Sequence, residues 1–427
     1  MSRNGAAKVP GESLSLFLRI SKSGCIAATS PLCTRICYND PMSEPVTTPI
    51  RVLAVDVGTG TQDILLFESG KTIENCFQMV MPSPTMIVSE RIKRATAQGQ
   101  PLVLTGVTMG GGPSHWAARD HALAGHPVAV TPDAARTFDD DLSEVAKMGF
   151  EIIDEDEASR RAKQPDIVHV ELQDFDARAI ITALQAFDID PHIDALAIAA
   201  FDHGAAPPGV SDRRFRFDFI AETVHRDPTP SAFAYLAQDT PRDLTRLHAI
   251  AQSADVYRQL SHAPAAIPLL LMDTGSAAAL GSLEDALVRR QRECVLCNVG
   301  NFHTLAFHLL DGKIIGIFEH HTGEISREQL ESMLLKLADG TLTNEEVFNT
   351  SGHGALILDR PANGSREKSF PFLSVTGPRR ELLRGSQLQP YEATPHGDMM
   401  IAGCFGLLRS LADRDPALAP LIEPALL

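Results

Sequence analysis

One pattern of strands and turns occurs twice in this chain, and the repeat restricts the fold more than any other feature of the sequence. The segment RVLAVDVGTGTQDILLF (51–67) reads as an apolar strand, a Gly/Thr turn and a second strand, and a third strand and a helix follow it. The segment CVLCNVGNFHTLAFHLL (294–310) reads in the same way, and an Asp-Gly turn, a third strand and a helix follow it. Asp-Gly between apolar runs is a strong hairpin signal. We therefore predict two copies of one α/β topology.

The segment between the two copies continues the alternation of strands and helices. Strands are predicted at 101–107 and 127–131, and the apolar run DALAIAAFDHG ends a further strand near residue 204. Three sequential strands followed by alternating helices and strands are typical of an α/β layer built on a mixed sheet. The predicted fold class is therefore α/β.

We predict three regions along the 427 residues, which are enough chain for two or three domains. Residues 1–49 are predicted to be a disordered tail or a mis-annotated start, since Met42 offers a second start shortly before the first convincing strand. Residues 50–267 are predicted to form an N-terminal lobe that carries the first Gly/Thr turn and an insertion. Residues 268–427 are predicted to form a C-terminal lobe that carries the second turn.

Charge and composition argue against several classes of function. The net charge of −16 argues against general affinity for nucleic acid or for an anionic membrane, although a local pocket can still attract an anionic substrate. No apolar run approaches the ~20 residues that span a bilayer. The seven cysteines show no repeated framework, which predicts reduced thiols in a cytoplasmic protein.

The first turn has the residues of a phosphate-binding loop. Gly58 and Gly60 allow a ligand to approach the backbone closely, while Thr59 and Thr61 supply hydroxyl donors. Asp56 ends the first strand and can hold Mg²⁺ directly or through water. The alternative is a tight hairpin in which the aspartate caps its own turn.

The second turn favours phosphate binding over a plain hairpin. Two facing loops can clamp a triphosphate, and the second copy supplies the second loop. We therefore predict that Gly300, Asn301 and Thr304 take part in cofactor binding together with the first turn.

These motifs resemble those of the superfamily of actin, hexokinase, sugar kinases and chaperone ATPases, whose members have two RNase H-like lobes around a central nucleotide cleft. VLAVDVGTGTQDILLF is similar to the first phosphate motif, and VLCNVGNFHTLAF resembles the second, with Asn298 where an acidic residue is usual. LSVTGPRRELL (373–383) stands where the adenosine motif is expected, with the single glycine Gly377 rather than a pair. The resemblance implies ATP and Mg²⁺ as cofactors and cofactor binding at Gly377. The departure at Asn298 leaves open whether ATP is hydrolysed or only bound.

Over nearly all of residues 51–410, the chain also resembles a prokaryotic family labelled as pyruvate formate-lyase activating enzymes. The resemblance rests on DVGTGTQDILL, TMGGGP, DHGAAPPGVSDRRFRF, VTGPRRELL and HGDMMIAGCFGLL. True activating enzymes of that kind are radical enzymes that hold an iron–sulfur cluster through Cys-x3-Cys-x2-Cys. Here Cys33 and Cys37 fill the first two places, but the third is Asp40. We therefore expect neither an iron–sulfur cluster nor radical chemistry.

A run of three glycines is a second candidate anion site. Gly110, Gly111 and Gly112 precede Pro113 and a predicted helix, so their N–H groups can point at an anion. A strand-to-helix turn that needs small residues explains the run equally well.

The segment FDHGAAPPGVSDRRFRFD places further polar residues after an apolar strand, where ligand sites of α/β proteins gather. Asp202 is the candidate base that takes a proton from a substrate hydroxyl, with His203 as its neighbour or as a donor. The alternative for Asp202 is a capping role. The arginines at 213, 214 and 216 can grip a carboxylate or phosphate, but we favour a solvated, Arg-rich loop.

The leading hypothesis is a cytoplasmic ATP-binding protein that transfers a phosphoryl group to a small hydroxyl- or carboxyl-bearing metabolite. The first alternative is a nucleotide-dependent activator or regulator of a partner enzyme, which the asparagine at position 298 favours. The second is a non-catalytic binder of a phosphorylated metabolite. None of the three binds nucleic acid or a membrane.

Overall fold

The computed structural model describes residues 49–261, 267–359 and 370–427. Residues 1–48, which make up nearly all of the predicted tail and include Met42, lie outside the described residues. In the described parts of the chain the strands are β1 (Arg51–Val57), β2 (Thr61–Glu68), β3 (Phe77–Pro82), β4 (Leu102–Gly106), β5 (Val128–Val130), β6 (Phe150–Ile152), β7 (Val168–Leu172), β8 (Ala195–Ala200), β9 (Ala234–Leu236), β10 (Leu269–Met272), β11 (Glu293–Val299), β12 (His303–Leu310), β13 (Lys313–His321), β14 (Gly352–Ile357), β15 (Phe372–Thr376) and β16 (Tyr391–Glu392). The helices there are α1 (Pro84–Gln98), α2 (Pro113–Leu123), α3 (Pro132–Ala135), α4 (Leu142–Lys147), α5 (Glu155–Arg161), α6 (Ala177–Ala186), α7 (Asp212–Arg226), α8 (Thr245–Leu260), α9 (Thr274–Ser282), α10 (Ala286–Arg289), α11 (Arg327–Asp339), α12 (Asn344–Asn349), α13 (Ala402–Arg414) and α14 (Ala419–Leu426).

Two six-stranded sheets share the same central order of strands. The first sheet has the order β3-β2-β1-β8-β10-β9, and the second has the order β14-β13-β12-β11-β15-β16. In each sheet three successive strands pair antiparallel, and a later strand, β8 or β15, pairs parallel with the first of the three. This is the topology of an RNase H-like lobe, so the prediction of two such lobes is confirmed.

Helices cover both faces of the first sheet, which explains why β1 is a continuous apolar run rather than an alternating one. On one face Val52 shares a buried cluster with Phe405 and Leu411 of α13. On the other face Leu53 shares a cluster with Ile180 of α6 and with residues of α8. Helices α13 and α14 therefore cover one face of the sheet that contains β1.

Helices α9 and α13 cross at very close range because small residues line the contact. A Cβ atom added to Gly281 would lie 1.7 Å from the carbonyl oxygen of Ala402, and one added to Gly406 would lie 1.9 Å from that of Ala277. Strand β10 precedes α9 and belongs to the first sheet, although it follows residue 267. The predicted lobe boundary between 267 and 268 stays a prediction, and the first sheet draws on chain from both sides of it.

The strands predicted at 101–107 and 127–131 do not belong to the mixed sheet of the first lobe. Their counterparts β4 and β5 join β6 and β7 in a separate, fully parallel sheet of order β6-β5-β4-β7. Parallel strands need crossover helices that cover their faces. Such helices, among them α1, α2 and α5, give this insertion a core of its own.

Among the described residues, no helix combines the length and the apolar character that a membrane crossing requires.

Candidate functional site

The two predicted turns have the same hydrogen-bonded geometry. In the first, the N–H of Gly58 donates to the carbonyl of Thr61 over 2.9 Å, and in the second the N–H of Gly300 donates to that of His303 over 2.9 Å. The register of each hairpin continues the match, because Val57 pairs with Gln62 and Val299 pairs with Thr304. Residues of the first turn therefore correspond one by one to residues of the second.

The two turns meet at one cleft of about 890 Å³, its open mouth included. A Cβ atom on Gly60 would lie 2.6 Å from Nδ2 of Asn301, so a larger residue there would displace the side chain of Asn301. Gly377 follows β15 with a positive φ of 98°, and a Cβ atom there would lie 2.4 Å from the carbonyl oxygen of Val299. The predicted site residues that line this cleft are Asp56, Gly58, Thr59, Gly60, Thr61, Gly300, Asn301 and Gly377.

Two predicted cofactor contacts lie elsewhere. Thr304 is fully buried, and its hydroxyl shares a hydrogen bond of 2.9 Å with that of Thr322. The run Gly110, Gly111 and Gly112 opens α2 as predicted, but the N–H of Gly110 donates to both carboxylate oxygens of Asp174. The run borders the cleft without lining it.

The glycines of this run make room for two cleft residues. A Cβ atom on Gly110 would lie 2.5 Å from the guanidinium of Arg246, and one on Gly112 would lie 2.7 Å from the ring of Phe302. Arg246 and Phe302 both line the cleft. Close packing thus accounts for these two glycines.

A pair of buried carboxylates lies beside the first turn. Asp56 and Asp63 are directly opposite each other on β1 and β2, and they are 7% and 8% exposed. Oδ1 of Asp56 accepts a hydrogen bond of 2.6 Å from the hydroxyl of Thr274. Oδ1 of Asp63 is buried and has no hydrogen-bond partner among the described residues.

The surroundings of this pair favour the neutral acids. Burial raises the pKa of Asp56 to about 7. Burial, followed by the charge of Asp56, raises the pKa of Asp63 to about 8. Gly403 at the start of α13 makes the tight fit possible, since a Cβ atom there would lie 1.9 Å from Oδ2 of Asp56.

The second turn has no such pair. Asn298 and Leu305 are the equivalents of Asp56 and Asp63, and they too pair across their hairpin. The side chain of Asn298 accepts a hydrogen bond of 3.3 Å from Thr376 at the end of β15. At these equivalent hairpin positions, only the first turn therefore carries carboxylates.

In the metal-free protein, we expect the acid pair to make stability fall as pH rises from about 4 to about 8. A carboxyl whose pKa is higher in the folded state, here about 7 or 8 against 3.8, binds more protons when folded, so deprotonation favours unfolding. Asp63→Asn removes one charge of the pair. We expect it to raise the free energy of unfolding by more than about 2 kcal/mol at pH 9, with little gain at pH 5.

Urea denaturation in the presence of a chelator, from pH 5 to pH 9, measures this difference. Asp120→Asn changes an exposed aspartate on α2 and serves as the control. Parallel stability curves for wild type and Asp63→Asn would contradict a coupled buried pair.

The predicted base, Asp202, lies next to the cleft rather than in its lining. It is 6% exposed, and its two carboxylate oxygens accept backbone hydrogen bonds of 2.9 Å from Gly204 and 3.0 Å from Leu247. Burial raises its pKa, while these two hydrogen bonds act in the opposite direction. Its neighbour His203 is exposed. Their catalytic roles stay a prediction.

The arginine-rich segment is not a solvated loop at position 216, so that interpretation is wrong for Arg216. This side chain on α7 is 4% exposed and forms hydrogen bonds of 2.6 and 2.7 Å with the carboxylate of Glu319. It also donates to the carboxylate of Asp273 over 2.9 Å and to the backbone oxygen of Asp202 over 2.7 Å. Because Glu319 lies on β13 and Asp202 follows β8, Arg216 connects the two sheets.

Sequence reasoning missed several residues of the cleft. Asp63 could have been predicted, because a hairpin centred on the first turn places it opposite Asp56. His303 was also within reach, since it occupies the position of Thr61 in the second copy. Glu319 lines the cleft as well, but no sequence signal distinguishes its β13 position from an ordinary buried strand residue.

The cysteines at 33 and 37, with Asp40 in the third place of the iron–sulfur motif, lie outside the described residues. The described cysteines are all buried and free: Cys76, Cys294, Cys297 and Cys404.

Comparison with known proteins gives a family match that covers well over half of the chain. The model of a family described as "Putative pyruvate format-lyase activating enzyme (DUF1786)" matches residues 109–382. No curated protein matches the sequence.

Several solved structures are similar at low identity. An exopolyphosphatase-like protein is 9% identical with a TM-score of 0.26; the alignment covers 78% of this chain and 66% of that one, less than two thirds of its length. The PilM-PilN type IV pilus biogenesis complex is 12% identical with a TM-score of 0.37, over 85% of this chain and 99% of that chain. The ethanolamine utilization protein EutJ from Carboxydothermus hydrogenoformans is 10% identical with a TM-score of 0.26, over 86% and 90%. Similarity at this level does not extend to function.

Proposed function

The chain belongs to the DUF1786 family, and we propose that it binds ATP with Mg²⁺ in the cleft and transfers a phosphoryl group to a small metabolite. The observation that carries the proposal is the pair of matching turns. They meet at a single cleft, and a buried acid pair lies on one side of it. Glycine-rich turns of this kind present backbone N–H groups and hydroxyls to phosphate oxygens. The acceptor would be a small hydroxyl- or carboxyl-bearing molecule.

The acid pair fits a hard divalent cation. Mg²⁺ prefers carboxylate oxygens, and Oδ1 of Asp63 is buried without a hydrogen-bond partner among the described residues. Asp56 and Asp63 would hold the ion, which when bound neutralises charge on the phosphate groups. A nearby cation also relieves the burial cost that keeps these carboxyls protonated.

The other residues of the cleft would position the nucleotide. Thr59 and Thr61 supply hydroxyl donors from the first turn, and Asn301 supplies an amide from the second. The adenosine would lie toward Gly377, where Met399 and Met400 offer apolar surface in the same cleft. Positioning and charge neutralisation supply most of the catalysis in phosphoryl transfer.

Binding of Mg²⁺-ATP is expected to raise the thermal midpoint of the full-length protein. A ligand present at one hundred times its Kd stabilises the folded state by about 2.7 kcal/mol, which gives a rise of a few degrees. The rise should need both ATP and Mg²⁺ and should disappear with a chelator. Asp56→Asn is expected to abolish it, because the variant loses one carboxylate of the pair.

Differential scanning fluorimetry with Mg²⁺-ATP, Mg²⁺-ADP, ATP with chelator, and no ligand gives this comparison. Asp120→Asn, an exposed change away from the cleft, is the control variant and should keep the full shift. If the protein unfolds cooperatively and millimolar nucleotide does not change its thermal midpoint, the proposal is wrong.

A second candidate is a nucleotide-dependent activator or regulator of a partner enzyme. The observation in its favour is that Asn298 and Leu305 stand where the first turn has its acid pair, so the second turn has no carboxylate at these positions. ATP turnover that a small metabolite stimulates would support the kinase. Turnover that only a partner protein stimulates would support the regulator.

A further inference from the structure

Three histidines from three distant parts of the chain converge beside the cleft. His203 follows β8, His303 begins β12, and His353 lies on β14. Each offers a ring nitrogen, and these three atoms all lie within 4.8 Å of one another. His303 also lines the cleft, so this histidine cluster, defined by the three residues, adjoins the second turn.

Two of the three rings hold buried nitrogens that form no hydrogen bond with any described residue. Nε2 of His303 and both ring nitrogens of His353 have no hydrogen-bond partner among the described residues. Nδ1 of His353 lies 3.4 Å from Oε2 of Glu319, but the contact lacks hydrogen-bond geometry. Buried polar atoms are rarely left without partners, so these nitrogens call for a ligand.

The positive charge of Arg216 does not make the histidine cluster repel a cation. Arg216 forms ion pairs with two carboxylates, of Glu319 at 2.6 Å and of Asp273 at 2.9 Å. The three groups together carry a net charge of −1. Glu319 is also close enough to His353 to orient its ring through Nδ1 once the other nitrogen binds a metal.

Packing holds the rings of His303 and His353 in place before any metal binds. The ring of His303 stacks on Phe201 with a centroid distance of 3.9 Å and an interplanar angle of 10°. His353 is 1% exposed and lies in the strand β14. Only His203 lies in a loop and is exposed, so it can move to close the site.

We propose that His203, His303 and His353 bind one first-row transition-metal ion of the Zn²⁺ class, with an open coordination position that faces the cleft. Three protein ligands and one open position are the arrangement of catalytic zinc sites. Zinc–nitrogen bonds of about 2.0–2.1 Å place tetrahedral ligand nitrogens about 3.4 Å apart, so small rotations of the rings close the present spacing. The open position would take water or an anionic oxygen of a substrate in the cleft.

This metal site is separate from the carboxylate pair of the first turn. Imidazole suits zinc, copper, iron or nickel, whereas carboxylates suit Mg²⁺. The site can therefore exist whether or not the protein binds ATP, and the two inferences fail independently.

Equilibrium dialysis of the chelator-treated, full-length protein against Zn²⁺ tests the proposal. The cysteines at 25, 33 and 37 are first changed to serine, so that their thiols do not compete for zinc. We expect one tightly bound zinc per chain. We also expect an absorption spectrum with Co²⁺ that is typical of nitrogen ligands in a tetrahedral site.

His203→Ala should weaken zinc binding at least 100-fold without changing the thermal midpoint of the metal-free protein, because its side chain is exposed. His303→Ala should weaken it to a similar degree. His225→Ala, at an exposed position near the end of α7, is the matched control and should bind as wild type does. Less than one bound zinc per chain in the protein with the three serine substitutions would overturn the proposal. Full zinc binding by His203→Ala would overturn it as well. Asp56→Asn should keep its zinc.

Discussion

Gly281→Ala is expected to destabilise the protein by more than about 3 kcal/mol, because overpacking against an immovable backbone is costly. The added Cβ atom would lie 1.7 Å from the carbonyl oxygen of Ala402, which belongs to the backbone of the crossing helix. Helices α9 and α13 would have to separate by more than an ångström. Both carry groups that hold Asp56, since Thr274 begins α9 and Gly403 lies in α13.

Chemical denaturation monitored by circular dichroism measures the loss. Gly323→Ala provides the comparison, because a Cβ atom at that position meets nothing within 4 Å and the backbone conformation suits alanine. We expect that variant to stay within about 0.5 kcal/mol of wild type. If the two variants are equally stable, the close helix crossing is wrong. If Gly281→Ala folds, its thermal shift with Mg²⁺-ATP should still be reduced.

Arg216→Met is expected to cost about 3–5 kcal/mol, the usual loss when one partner of a buried ion pair is removed. Glu319 is 1% exposed and would be left as a buried carboxylate without its cation, and Asp273 would lose the same partner. Methionine has a side-chain volume close to that of arginine, so the loss reports on charge more than on volume.

The measurement is again the free energy of unfolding, here with Arg214→Met as the control. Arg214 lies on the same helix but is exposed, and we expect its replacement to cost less than about 0.5 kcal/mol. Adding Glu319→Leu to Arg216→Met should recover part of the loss, since it removes the stranded charge. Equal stability of Arg216→Met and Arg214→Met would mean that Arg216 is not the buried connection between the sheets.

The local part of this architecture could be predicted from the sequence, because hairpins depend on neighbouring residues. The two Gly turns, the strands beside them and the equivalence of Asp56 with Asn298 all follow from short segments. Asp63 could also be predicted, because the register of a hairpin centred on the first turn pairs it with Asp56.

Contacts between distant strands were beyond such reasoning. The burial of Arg216 depends on β8, β10 and β13 all ending near one point, which no local pattern encodes. The same is true of His353, which comes 150 positions after His203 in the chain. The strands of the insertion have ordinary α/β periodicity, and only their pairing assigns them to a separate sheet.

The covering of one face of the first sheet by α13 and α14 also affects folding during translation. The strand that carries Val52 is synthesised well before the helices that cover its face, which extend from Ala402 to Leu426. At about 5–20 residues per second, some tens of seconds separate the two events. During that interval the ribosome-bound chain exposes an apolar sheet face to water. We expect chaperones to bind that face during translation, and we expect a product truncated before α13 to aggregate through it.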